Sequence, residues 1–160
     1  MMVLSFWSDF FEVSEPTPNK QQFYTSRQTP SASSVYILNC LFNGFTSGSD
    51  GGALYCNTSV TYLLVESSSF FSCKTSSDIG GAIYFVNTNN GQCVLHKVCG
   101  SDCCSIIASR SDGQFAYVSV KNDASSKNYV NYSSISRCVN DIYDSFHTLW
   151  LNYGKIYCPS

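Results

Sequence analysis

The sequence predicts an all-β chain: a right-handed parallel β-helix, or solenoid, of about four to five coils, with a short N-terminal capping helix. Three observations carry that expectation. The segment Gly51-Gly52-Ala53-Leu54 recurs as Gly80-Gly81-Ala82-Ile83. Upstream of each glycine pair the apolar residues repeat as well. Val35 and Ile37 match Leu63 and Val65, Phe42 matches Phe70 and Phe45 matches Cys73, each pair 28 residues apart, while the glycine pairs are 29 apart. A fixed period in this range marks a solenoid. Finally, Val35-x-Ile37 and Leu63-x-Val65 alternate by two, which puts both side chains on one face of a strand. No helical stripe of useful length lies between residues 30 and 160. The hand follows from the preference of parallel crossovers. A β-sandwich is the alternative, since short, evenly spaced strands suit it too.

The elements follow in order. Residues 1–34 read as an N-terminal cap or leader and residues 35–160 as the repeat domain, with further chain expected beyond its C-terminal end. Val3, Trp7, Phe10 and Phe11 fall near one helical face, so residues 2–13 are expected to cover the exposed end of the solenoid; Pro16 and Pro18 then break the pattern. Each coil offers three short strands: one at the Val-x-Ile pair, one at the Phe and one after the glycines. The glycine pair suits a corner, where positive φ and close backbone approach are needed. Ala53 and Ala82 fit inside that corner, and Leu54 and Ile83 point to the core. Downstream the repeat decays. The third coil, around Cys93–Cys104, fits loosely. Gly113-Gln114 resembles the corner with Gln for the second Gly, and further on Val130, Ile135 and Cys138 take the places of Val65, Phe70 and Cys73. Residues 147–158 read as two further strands around Tyr153-Gly154.

Composition limits the function classes. Charged residues are 12% of the chain, about half the usual share. With a formal net charge of -2, no polyanion-binding surface and no nucleic-acid partner is expected. No apolar run approaches the roughly 18–20 residues of a membrane span, and the first residues lack the basic start of a signal peptide. Nine cysteines are present, an odd number. Buried thiols and extracellular bridges both remain open readings. Cys73 and Cys138, standing at apolar repeat positions, are expected to face inward and to be unreactive.

At Gly51-Gly52-Ala53-Leu54 and Gly80-Gly81-Ala82-Ile83 the chain resembles the repeats of polymorphic outer membrane proteins, in which a Gly-Gly-Ala-Ile motif pairs with an upstream Phe-x-x-Asn motif. Phe70-x-x-Cys73 departs from the second motif by Cys for Asn, and Phe42-x-x-Phe45 departs further. The Cys-, Ser- and Asn-rich character looks more like the large trichomonad surface-protein families with pectin-lyase-like β-helices. The resemblance covers residues 35–158. It implies a cell-surface or secreted module for adhesion or recognition, with a host surface protein or glycan as partner.

An enzyme of the pectin-lyase type needs clustered carboxylates, or carboxylates holding Ca²⁺ beside a cation. The acids Asp50, Glu66, Asp78, Asp102, Asp112, Asp123, Asp141 and Asp144 are dispersed. Asp50 and Asp78 both lie near a glycine corner, where Asp is also an ordinary turn residue. Arg110 and Arg137 show no evident partner. The one ligand-like cluster is Cys93, His96, Cys99, Cys103 and Cys104, whose spacing suggests zinc superficially. If residues 93–99 are one strand, Cys93 and Cys99 share a face and His96 takes the other, which makes a tetrahedral site awkward. His147 belongs to no catalytic motif, and Asn57 and Asn131 begin glycosylation sequons. No catalytic residue, cofactor or metal ligand is assigned. The expected function is non-catalytic adhesion or recognition; a carbohydrate-active enzyme and a passive spacer within a larger variable surface protein are the alternatives.

Overall fold

In a computed structural model, the described residues are 7–77, 79–106, 112–139 and 147–157. They form a β-solenoid of about four turns, and every strand pairing among them is parallel. That pairing answers the sandwich alternative, whose sheets are antiparallel.

Strands are numbered in chain order, and each of the three coils that begin at β3, β7 and β11 visits four sheets in turn. The first sheet stacks β1 (Asn19–Lys20), β3 (Ser34–Leu38), β7 (Tyr62–Glu66), β11 (Gln92–His96), β15 (Asn128–Asn131) and β18 (Lys155–Tyr157). The second stacks β2 (Phe23–Tyr24), β4 (Leu41–Asn43), β8 (Ser69–Phe71), β12 (Cys99–Ser101) and β16 (Ser134–Ser136). The third is short: β5 (Thr46–Ser47), β9 (Lys74–Thr75) and β13 (Cys104–Ser105). The fourth holds β6 (Leu54–Cys56), β10 (Ile83–Asn87), β14 (Asp112–Val120) and β17 (His147–Asn152).

The repeat read from the sequence is the register of the sheets. Val35 pairs with Leu63, Ile37 with Val65 and Phe42 with Phe70. Leu63 continues to Cys93 and Val65 to Leu95, so the loosely matching third coil is a full coil. Leu95 then pairs with Val130 and Gly100 with Ile135. Pairing starts earlier than the boundary at residue 35, since β1 and β2 lie against β3 and β4 and Gln28 bridges Leu54.

The glycine corner behaves as its sequence requires. Gly51, Gly80 and Gly113 occupy equivalent positions with φ of 67°, 69° and 65°. The second glycine has a different reason. A Cβ on Gly52 would overlap the Gly81 carbonyl oxygen, and one on Gly81 would overlap that of Gln114, each from the following coil. Gln114 itself escapes the constraint. From Asp112 to Ala116 its strand advances four positions, whereas the partner advances only two, from His147 to Leu149, so the next coil skips that corner.

Two further corners carry no sequence signature. Between the first and second sheets Gln21, Asn39, Ser67, Lys97 and Tyr132 all have positive φ. Between the second and third sheets the series is Gly44, Ser72, Asp102 and Arg137. Left-handed backbone costs an L-residue roughly 1–2 kcal/mol. Here the amides are held coil to coil: Asn39 N–H donates to Glu66 O, Ser67 N–H to His96 O and Lys97 N–H to Asn131 O.

The expected cap is a single turn, α1 (Trp7–Phe10), and it lies elsewhere than predicted. Trp7, Phe10 and Phe11 pack with Tyr36, Leu64 and Val94 on the outer face of the first sheet, not over the end of the solenoid. The period-two pattern explains this. The strands β3, β7 and β11 are apolar on both faces, with Tyr36, Leu64 and Val94 turned outward, so their outer side needs a cover that the coils do not supply. Trp7 Nε1 donates to Val13 O at 3.0 Å, closing the segment on itself. Val3 lies outside the described residues.

Candidate functional site

The outer face of the first sheet carries an open groove of about 1040 Å³. Phe10, Phe11, Glu12 and Val13 form one wall, residues 122–127 the other, with Tyr62, Gln92 and Tyr129 between them and Tyr153-Gly154-Lys155 at one end. The second wall has a sequence origin. The fourth-sheet spacing from Ile83 to Ala116 is 33 residues, but the first-sheet spacing from Cys93 to Asn128 is 35. The two extra residues fall in the connection between these sheets, which projects beside the groove. That loop is self-organised: Asp123 accepts hydrogen bonds from Ser125 N and Oγ and pairs with Lys121 at 2.9 Å. Lys121 first, and then the Ser125 contacts, hold the Asp123 carboxyl below the usual carboxylate range. Gln92 Oε1 accepts from Lys127 N, tying the loop to β11.

Asn128 is 5% exposed; its Nδ2 donates to Asn152 O at 2.9 Å while its Oδ1 has no hydrogen-bond partner among the described residues. The Nδ2 bond fixes the amide orientation, because a flip would set two oxygens together. Tyr62 and Tyr129 contact the Trp7–Phe11 segment, whereas Tyr153 is 57% exposed at the groove's end.

Beside the groove, the outward row Leu38, Glu66, His96, Asn131 runs along the same sheet. Glu66 is buried and accepts a hydrogen bond from Tyr36 Oη at 2.6 Å. Burial first, then this bond, push the Tyr36 phenol well above its ordinary value. His96 Nδ1 lies 2.7 Å from Asn131 Oδ1, between the rings of Phe10 and Tyr132. In the sequence Glu66 was one of several dispersed acids. A Glu at the end of an apolar strand, 30 residues after a Tyr, was the available signal.

On the fourth sheet Tyr55, Tyr84, Tyr117 and Trp150 stack with ring centroids 5.2, 5.7 and 6.2 Å apart and planes within 12°. Arg27 covers Tyr55 at 4.5 Å, and His147 meets Trp150 edge-on at 5.4 Å. The ring faces are turned on one another, so the ladder shows edges and hydroxyls outward.

The cysteine and histidine cluster is dispersed by the fold. The strand ends at His96, and Lys97 turns the chain with φ of 53°, so Cys99 begins the next sheet. Cys93 is in the core and Cys99 is exposed: the two do not share a face, contrary to the single-strand expectation. Cys104 begins the third-sheet strand β13, and Cys103 lies in the connection before it. Among the described residues no group of three or more His, Cys, Asp or Glu could hold a metal ion, and the eight described cysteines are free thiols.

The acids are engaged at separate places. Asp102 pairs with Arg137 at 2.8 Å, which gives Arg137 the partner not seen in the sequence, and Asp112 pairs with His147 at 3.1 Å. Asp50 Oδ1 accepts from Ile79 N. The sequons differ as well. Asn57 is exposed in a turn closed by Ser59, while Asn131 is bound to His96. Asn87 is 1% exposed and donates to Val60 O, anchoring the Thr88–Asn90 turn. Asp78, Arg110, Asp141, Asp144 and Cys158 lie outside the described residues. In comparisons with known proteins, no family model, no curated protein and no solved structure matches this chain.

Proposed function

We propose that the protein is a non-catalytic recognition module, displayed at a cell surface or secreted, that binds a glycan through the groove on the first sheet. The observation that carries this reading is the groove's lining: Tyr62, Tyr129 and Tyr153 beside Gln92, Asn122, Ser125 and Ser126, in an open trough of about 1040 Å³. Tyr with Asn and Ser gives amphipathic contact area with adaptable hydrogen bonding. Two Lys (127 and 155) and two acids (Glu12 and Asp123) leave the lining without net charge, which favours a hydroxyl-rich neutral ligand over a strongly charged one. The separate engagement of Asp50, Glu66, Asp102, Asp112 and Asp123 favours recognition over polysaccharide cleavage. The relation to polymorphic outer membrane proteins and trichomonad surface proteins belongs to the same proposal, supported by the glycine corner.

The test is a glycan array and cell-binding assay on the full chain with two variants. Tyr153→Ala should abolish binding to the glycan that wild type selects. Tyr132→Ala, exposed on another corner, should leave it unchanged. Silence on every glycan and cell type would overturn the reading in favour of a spacer. Turnover of an acidic polysaccharide would overturn it in favour of an enzyme.

A further inference from the structure

Independently of the groove, the core holds a column of thiols. Phe71, Ser101 and Ser136 are register partners, so two residues later Cys73, Cys103 and Cys138 occupy one position on three successive coils. All three are buried, at 0%, 0% and 1% exposure. Their contacts run along the column. Cys103 N–H donates to Cys138 Sγ at 3.4 Å, and Cys103 Sγ donates to Phe70 O of the preceding coil at 3.4 Å. Adjacent strands lie about 4.8 Å apart, inside the roughly 4.4–6.8 Å range of disulfide Cα separations. Cys73 and Cys138 are two spacings apart, about 10 Å, beyond the ~7 Å limit for bridging.

We propose that Cys73, Cys103 and Cys138 form a redox site that holds one disulfide at a time, always through Cys103, with Cys73 or Cys138 as its partner. Two S–H bonds break and one S–S bond forms. The two electrons and two protons pass to a disulfide oxidant such as oxidised glutathione, which leaves as two thiols. The remaining thiol can attack Cys103 of the bridge and release its former partner, moving the bolt by one coil. In-register stacking at about 4.8 Å exceeds the usual Cβ separation of roughly 3.5–4.5 Å. Closing the bridge therefore draws two coils together, and it should be easily reduced. The Cys138 contact lowers the Cys103 thiol, but Cys73 and burial outweigh it and leave it pushed up to about 12. Little thiolate is present in the folded state, so both oxidation and exchange along the column proceed while the chain folds or opens.

The full chain is refolded in mixtures of oxidised and reduced glutathione, quenched with an alkylating agent and mapped by non-reducing peptide mass spectrometry. One bridge per molecule is expected, joining the peptide of Cys103 to that of Cys73 or Cys138. Cys73→Ala should shift all of it to Cys138, and Cys138→Ala all of it to Cys73. Cys103→Ala should remove it, while Cys104→Ala should not, which resolves the adjacent pair. The wild-type map decides the matter even if a variant misfolds. A fully thiol protein at every mixture, a Cys73–Cys138 link, or a dominant bridge through Cys56, Cys93, Cys99 or Cys104 would overturn the proposal.

Discussion

The first two coils and the third fill the same interior with different residues. Coil one pairs Phe42 in the second sheet with Ala53 at the fourth-sheet corner, and coil two pairs Phe70 with Ala82. Phe42 and Phe70 stack at 4.5 Å with planes 4° apart. Coil three reverses the sizes: the second-sheet residue is Gly100 and the corner residue is Phe115. Phe115 reaches across the core, meets Phe70 edge-on at 5.8 Å and fills the place where a Gly100 side chain would be. The lesson is that a coil conserves its total core volume and not the identity at each position, as close packing requires.

The sharpest way to break this comparison is a double-mutant cycle. Phe115→Ala should cost about 3–5 kcal/mol through the cavity beside Gly100. Gly100→Phe should cost about 1–3 kcal/mol by overpacking against the Phe115 ring. The double variant rebuilds the pattern of coils one and two and should recover much of the loss, with a coupling of at least ~2 kcal/mol in urea unfolding. Additive losses would show that Phe115 and Gly100 are independent features.

The same swap explains what was legible in the sequence and what was not. Val35, Ile37, Phe42 and the glycine pairs of coils one and two gave the period because register, inward alternation and the backbone corner all depend on residue type there. Coil three matched loosely because Gly100 and Phe115 exchange roles and the spacing lengthens from 28 to 30 and then 35 residues. The corners at Gln21, Asn39, Ser67 and Lys97 were invisible, since backbone hydrogen bonds between coils hold them whatever the side chain. The groove was illegible for another reason. Its floor is the repeat strands at Tyr62, Gln92 and Tyr129, but its walls and end are Phe10–Val13, a loop at 122–127 and Tyr153, which lie outside the repeat.

On the outer face of the first sheet the coils pair off differently. Glu66 of coil two is served by Tyr36 of coil one, whereas His96 of coil three is served by Asn131 of coil four. Tyr36→Phe should therefore act across coils one and two. Removing a buried hydrogen bond to a carboxylate should cost about 1.5–3 kcal/mol at pH 7. The pH dependence carries a sign. Burial and Glu66 raise the folded-state phenol above its unfolded value near 10. Its contribution is complete below that value and is lost as pH rises toward the folded-state value. The buried thiols of Cys56 and Cys93, also raised by burial, weaken both proteins in alkali. The diagnostic quantity is thus the gap between wild type and Tyr36→Phe. It should be constant to about pH 10 and narrow above it in denaturant midpoints. A gap that does not move with pH would separate Tyr36 from Glu66.

The smallest effect tests the corner between the second and third sheets, where coil one differs from the others in another way. Coil one uses Gly44 at φ of 73°, while coils two, three and four place Ser72, Asp102 and Arg137 at 48°, 56° and 51°. Asp102 and Arg137 pair with each other and so have a use for their side chains. Ser72 is exposed, and its amide donates to Ser101 O, a bond that any residue retains. Ser72→Gly should relieve the roughly 1–2 kcal/mol of left-handed strain and give back about 0.5–1 kcal/mol of it through the greater freedom of the unfolded chain. The net gain should be about 0.5–1 kcal/mol, a rise of about 1–4 °C in Tm for a chain of this size. Asp102→Gly should gain less or lose stability, because it also removes the pair with Arg137. If Ser72→Gly lowers Tm, the serine at this corner carries an interaction of its own, and coil one's glycine is the exception to explain.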